Sequence, residues 1–173
     1  MFEDIQTPRD IEEKMRALRE TNCSGLSPVD FAEFAERIAS IIPREGGMRR
    51  GIVYRLGPLW TCVRFGLILM PEETPGYDAV DPMSKLGPAD KRYQIKSRHP
   101  EKEESVRVDP KGTTPSFTSF EFDWALLVLM DKDLQNYEIW RADRTNVERH
   151  LKPGRKDMQI FQFQKIGARI YPY

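Results

Sequence analysis

The chain has 173 residues, 39% of them hydrophobic, within the range of one compact domain with a single sizeable core. Its 27 basic residues balance its 27 acidic ones, so bulk charge gives no argument for a polyanionic partner. The longest apolar run, Trp124 to Met130, is too short to span a bilayer, and no signal peptide opens the chain, so the sequence reads as a soluble, cytoplasmic protein with no membrane partner.

Pro8, followed by Ile11, Met15 and Leu18 at helical spacing, predicts a first helix over 9–20. Ser27-Pro28 is a second start signal, with Phe31, Phe34, Ala35, Ile38 and Ile42 on one face and Pro43 and Gly46-Gly47 as stops. Pro58 is tolerated in the first turn of a helix, so a third helix is predicted over 58–65. Three strands should follow at 67–70, 77–81 and 92–98, then an exposed charged loop at 101–112. The run 122–130 reads as a strand buried on both faces and paired with 137–141. Asp143 caps a short helix to Leu151, and 158–170 alternates like an edge strand. The fold class expected is α/β, a mixed central sheet flanked by helices, in one domain over 1–173. Its N-terminal helices occupy 1–48 and its α/β core 49–173.

Charge is unevenly distributed. Residues 1–40 carry nine acids and five bases, whereas 141–173 carry eight bases and three acids. The basic part suits a phosphate backbone, although an ordinary solvated surface explains it equally well. Cys23 and Cys62 have no CxxC or Cys/His spacing, and His99 and His150 stand far apart, which argues against zinc and against a disulfide scaffold.

The segment carrying chemistry is Gly76-Tyr77-Asp78-Ala79-Val80-Asp81 followed by Arg92-Tyr93-Gln94-Ile95-Lys96-Ser97-Arg98. Alternate strand residues share a face, so Gln94 and Lys96 lie together where an acid on the preceding strand can meet them, a grouping suited to Mg²⁺ and a phosphate. Asp81 is expected to face away from Asp78 as a turn-flanking residue, and Trp124 and Trp140 to be core aromatics. Arg98, His99 and Lys102 are candidate phosphate contacts beside a solvated loop. Arg49, Arg50, Arg55 and Arg64 are either part of a DNA-facing surface or snorkelling side chains.

These residues, with Phe122-Asp123 and Glu138-Ile139-Trp140-Arg141, resemble the restriction-endonuclease-like, or PD-(D/E)xK, superfamily, in particular small bacterial nuclease-like domains with a Gly-Tyr-Asp-Ala-x-Asp…Tyr-Gln-Ile-Lys hairpin. The similarity runs from about Leu56 to His150. It implies catalytic roles for Asp78, Gln94 and Lys96, and a Mg²⁺ or Mn²⁺ ion held by Asp78, the Gln94 amide oxygen and the Ile95 carbonyl. It also implies DNA as substrate, phosphodiester hydrolysis as the reaction, and a homodimer as an expected assembly. The sequence departs from that pattern at Gly57-Pro58, where such domains carry Gly-Glu, so Glu33, Glu36 or Glu45 would have to supply the missing carboxylate. A catalytically silent module that binds nucleic acid or a protein partner is the alternative.

Overall fold

The computed structural model describes residues 2–43, 46–84, 86, 90–101, 105–135 and 137–172. Two helices open the chain, each started by a capping box and a proline in the first turn. Thr7 accepts from Asp10 N and Asp10 reaches back in α1 (Pro8–Glu20); Ser27 and Asp30 do the same in α2 (Pro28–Ile41). Ile11, Met15 and Leu18 of α1, and Phe31, Phe34, Ala35 and Ile38 of α2, form their buried stripes.

The third helix departs from the sequence expectation. α3 runs from Gly47 to Phe65 and carries Pro58 inside it rather than at its start. An interior proline costs a helix about 3 kcal/mol through its missing donor and its clash with the preceding turn. Here every residue from Leu56 to Cys62 is buried, which offsets that local penalty. Gly66, in the left-handed region at φ 67°, ends the helix. Gly57 lets α3 lie against the sheet, since a Cβ there would fall 1.7 Å from Ser97 Oγ.

The six strands are β1 (Ile68–Leu69), β2 (Ala79–Asp81), β3 (Lys91–Arg98), β4 (Trp124–Met130), β5 (Tyr137–Asp143) and β6 (Ala168–Tyr171). They form one open sheet whose spatial order follows the chain order. All neighbours are antiparallel except β3 and β4, which run parallel in the register Tyr93 with Trp124 through Arg98 with Leu129. The α/β class with a mixed sheet is therefore present, and helices lie on both faces.

On one face Tyr93, Ile95, Leu126, Val128 and Ile139 pack in a cluster with Phe31, Phe34 and Trp60 from the N-terminal helices. On the other, Ala125, Leu127 and Ala142 meet Phe117, Phe122, Val147, Ile160 and Phe163. α4 (Arg144–His150) begins at Asp143, whose Oδ1 accepts from Asn146 N at 2.9 Å. The segment expected as an edge strand over 158–170 is instead α5 (Ile160–Ile166) followed by β6. Ile160 and Phe163, three residues apart, both enter the second cluster, a helical spacing that the alternation of neighbouring apolar residues masks in the sequence. Among the described residues no helix is long and apolar enough to cross a membrane.

Candidate functional site

Asp78 stands where the β2–β3 ladder ends. Its N–H donates to the Tyr93 carbonyl at 2.8 Å, although Tyr93 is the register partner of Ala79. This one-residue slip has the character of a β-bulge, a device that re-aims a side chain at the end of a pairing. The Asp78 carboxylate is thereby laid along the β3 edge, where Oδ2 accepts from Ile95 N at 2.6 Å. A strand residue's N–H and C=O leave on the same edge, so the Ile95 carbonyl also faces this side, past the last ladder pair.

The frame behind Asp78 is a chain of backbone bonds reaching α1. Met70 N donates to the Asp78 carbonyl at 2.8 Å, and the Met70 carbonyl accepts from Arg19 Nε at 3.0 Å and from Arg19 Nη2. Burial pushes the Asp78 carboxyl above the ordinary carboxylate range, against the opposing pull of the Ile95 N–H and of the positive charges on Lys96 and Arg19. Burial likewise lowers the Lys96 ammonium from its ordinary value, with the Asp78 charge acting in the other direction. Each group thus favours its neutral form through desolvation and its charged form through the other.

Gln94 and Lys96 lie on the second face of β3, where Gln94 pairs with Ala125 and Lys96 with Leu127 across the parallel ladder. Gln94 is only 5% exposed, and its Oε1 is buried without a hydrogen-bond partner. Such an acceptor costs free energy unless something satisfies it. Lys96 Nζ sits 5.5 Å from the centre of the Phe117 ring and makes no hydrogen bond or ion pair among the described residues. Phe117 belongs to the irregular segment 113–123, which crosses this face between β3 and β4. The segment is fixed by Phe117 N to the Lys156 carbonyl, Thr114 N to the Met158 carbonyl, and the Phe117, Phe120 and Phe122 rings. Gly76, at φ 85°, packs so tightly on this segment that a Cβ would come within 2.6 Å of Glu121 Cβ.

Among the other predicted residues, Asp81 and Arg98 have structural duties. Asp81, expected as an exposed turn-flanking residue, is fully buried, and its carboxylate accepts from Met83 N at 3.2 Å and Leu86 N at 2.7 Å. It therefore organises the chain after β2. Arg98 bridges the Thr113 carbonyl at 2.7 Å and the Tyr54 hydroxyl at 2.9 Å, so its guanidinium ties the crossover to α3. His99 is buried with both ring nitrogens unpartnered, and burial holds its pKa below the ordinary histidine value. Lys102 and Glu45 lie outside the described residues. Glu33 and Glu36 are exposed on α2, whose buried stripe faces the helical layer. Trp124, with Arg141 over its ring, and Trp140 are half-buried and pack against the edges of the first and second clusters rather than inside them. A cleft of about 660 Å³ opens at the other end of β3, lined by Arg98, His99, Arg107 and Thr113.

Three participants carry no local signal in the sequence. Arg19 and Met70 are separated by 51 residues, and Phe117 reaches Lys96 only through the crossover. Among the described residues no group of three or more His, Cys, Asp or Glu side chains is placed to hold a metal ion. A single carboxylate, an orphaned amide oxygen and a strand carbonyl are nonetheless hard oxygen donors of the kind Mg²⁺ takes together with waters and substrate phosphate. The sequence matches no family model and no curated protein.

Proposed function

We propose that this protein is a metal-dependent endonuclease of restriction-endonuclease-like fold that hydrolyses DNA phosphodiester bonds. The observation that carries this reading is the buried, unpartnered Gln94 Oε1 beside Lys96 on β3, with the Asp78 carboxylate fixed on the same strand's edge. A buried acceptor without a donor calls for a partner, and a cation is one that an amide oxygen beside a carboxylate can take.

Asp78, Gln94 Oε1 and the Ile95 carbonyl would hold Mg²⁺ or Mn²⁺, which when bound polarises a phosphoryl oxygen and makes water more acidic. Lys96, relieved of part of its proton affinity by burial, either accepts a proton from the attacking water or donates a hydrogen bond to the phosphoryl oxygens as charge builds there. The Asp78 N–H, Met70 and Arg19 bonds hold the carboxylate in place through these steps. A two-fold dimer would place two such sites on opposite strands of a duplex.

Cleavage of supercoiled, linear and single-stranded DNA in Mg²⁺ and in Mn²⁺ tests the reading, with Asp78→Ala and Lys96→Ala in parallel. Loss of cutting in both variants is the expected result, and undiminished cutting by Lys96→Ala would overturn it. Two observations favour a second reading, a silent module that binds nucleic acid or a protein partner without cutting. Proline occupies position 58, where the resembling domains have glutamate, and no three-acid group exists among the described residues. Wild-type protein that shifts DNA in EDTA and cuts nothing in either metal would establish that second reading.

A further inference from the structure

The two cysteines take no part in the proposed chemistry, yet the fold brings them together. Cys23 lies in the turn between α1 and α2, Cys62 in the last turn of α3, and both are buried. Cys62 Sγ is 3.2 Å from the Asn22 carbonyl oxygen, which belongs to the peptide bond entering Cys23. Cys23 Sγ in turn lies 4.0 Å from the Leu59 carbonyl, one helical turn before Cys62, so each thiol packs against the backbone beside the other.

The backbone is bent to make this meeting. Asn22 and Cys23 take successive left-handed conformations, φ 51° and 55°, which non-glycine residues seldom adopt. The Asn22 side chain then holds β1, its Nδ2 donating to the Leu67 carbonyl at 3.2 Å and its Oδ1 accepting from Leu69 N at 2.8 Å. The next residue, Met70, is the one that binds both Arg19 and Asp78.

We propose that Cys23 and Cys62 are an oxidation site that closes to a reversible intramolecular disulfide when the protein meets a peroxide. Cys62 attacks first. The closeness of the two thiols drives their acidities apart, Cys62 below its ordinary pKa and Cys23 above, while the charge of Arg19 favours both thiolates. The Cys62 sulfur bonds to one peroxide oxygen as the O–O bond breaks, leaving a sulfenic acid, and the departing hydroxide takes the Cys62 proton as water. The Cys23 sulfur then attacks the Cys62 sulfur. The S–S bond forms, the S–O bond breaks, and a second water leaves with the Cys23 proton. Two electrons pass from the thiol pair to the peroxide. The product staples the α1–α2 turn to α3 and thereby secures the Asn22 clamp on β1. This inference is independent of the metal-dependent reading.

The test is a hydrogen peroxide titration of the full chain, with thiol counting after denaturation and peptide mapping without reductant. Both thiols should disappear together into a single Cys23–Cys62 linked peptide pair, and dithiothreitol should restore them. The oxidised form should melt higher by roughly 5 °C or more. In Cys23→Ser, Cys62 should stop at the sulfenic acid and be captured by dimedone. Thiols that persist under conditions that fully oxidise glutathione would overturn the proposal. So would thiols that oxidise one at a time to sulfinic acids, or that link only between chains.

Discussion

The two faces of the sheet are covered in different ways. The first lies under α1, α2 and the nineteen-residue α3, and its contacts are aromatic and aliphatic, with Trp60 against Phe31 at 4.5 Å and against Tyr137 at 4.1 Å. The second has two seven-residue helices and an irregular crossover. Yet it is the second face that receives Gln94 and Lys96, polar groups whose burial costs free energy. Placing reactive polar groups on the less regular face, over a sheet held from behind by a dense helical layer, separates the part that fixes the fold from the part available for chemistry.

Breaking each face in turn should give opposite results. Lys96→Ala on the second face is expected to lower DNA cleavage by about 10²-fold or more, with a thermal midpoint equal to or above wild type, since a desolvated ammonium is removed. Trp60→Ala on the first should cost about 3–5 kcal/mol in urea unfolding, while the folded fraction keeps its cleavage rate. A Lys96→Ala protein that unfolds, or a Trp60→Ala protein that stays folded but cannot cut, would show that the division does not hold.

Gln94→Leu sharpens the comparison. Replacing an orphaned buried amide by a hydrocarbon should stabilise the protein by about 1 kcal/mol, while Mn²⁺ binding measured by electron paramagnetic resonance falls. Loss of stability would mean that Gln94 serves the fold instead. The smallest effect concerns His99, at the far end of the same strand. Its folded pKa lies below the ordinary 6.5, so the unfolded chain binds the proton more readily. Its contribution to stability is therefore complete above about 6.5 and is lost as pH falls through the folded value. His99→Phe should flatten that acid limb, seen as a weaker dependence of the urea midpoint on pH below about 6.5.

Local signals in the sequence accounted for much of this architecture. Pro8 and Ser27-Pro28 marked helix starts that the structure contains, and 92–98, 122–130 and 137–141 fell on β3, β4 and β5. Where local rules met tertiary packing they failed. Pro58 marked a helix start only because the sequence does not reveal that α3 is buried all round from Leu56 to Cys62. The 158–170 segment was ambiguous because Met158 and Ile160 also fit a two-residue period. At the candidate site, Gln94 and Lys96 were legible from strand alternation. The slip that turns Asp78 onto Ile95 N, the support from Arg19 through Met70, and the Phe117 ring on Lys96 depend on contacts distant in sequence, which no local pattern encodes.

The parallel pairing of β3 with β4 also has a kinetic meaning. Every strand lies beside its neighbour in the chain, and the antiparallel pairs β1–β2, β2–β3 and β4–β5 form through short connections. A parallel partner requires a long return path, here residues 99–123, whose ends must meet before any of its contacts are gained. That path carries Phe117 onto Lys96 and brings Ala125 beside Gln94. The candidate centre is therefore assembled at one of the two long closures of the sheet, the other being β5 with β6 across α4 and α5. A folding chain would acquire its hairpins before its chemistry.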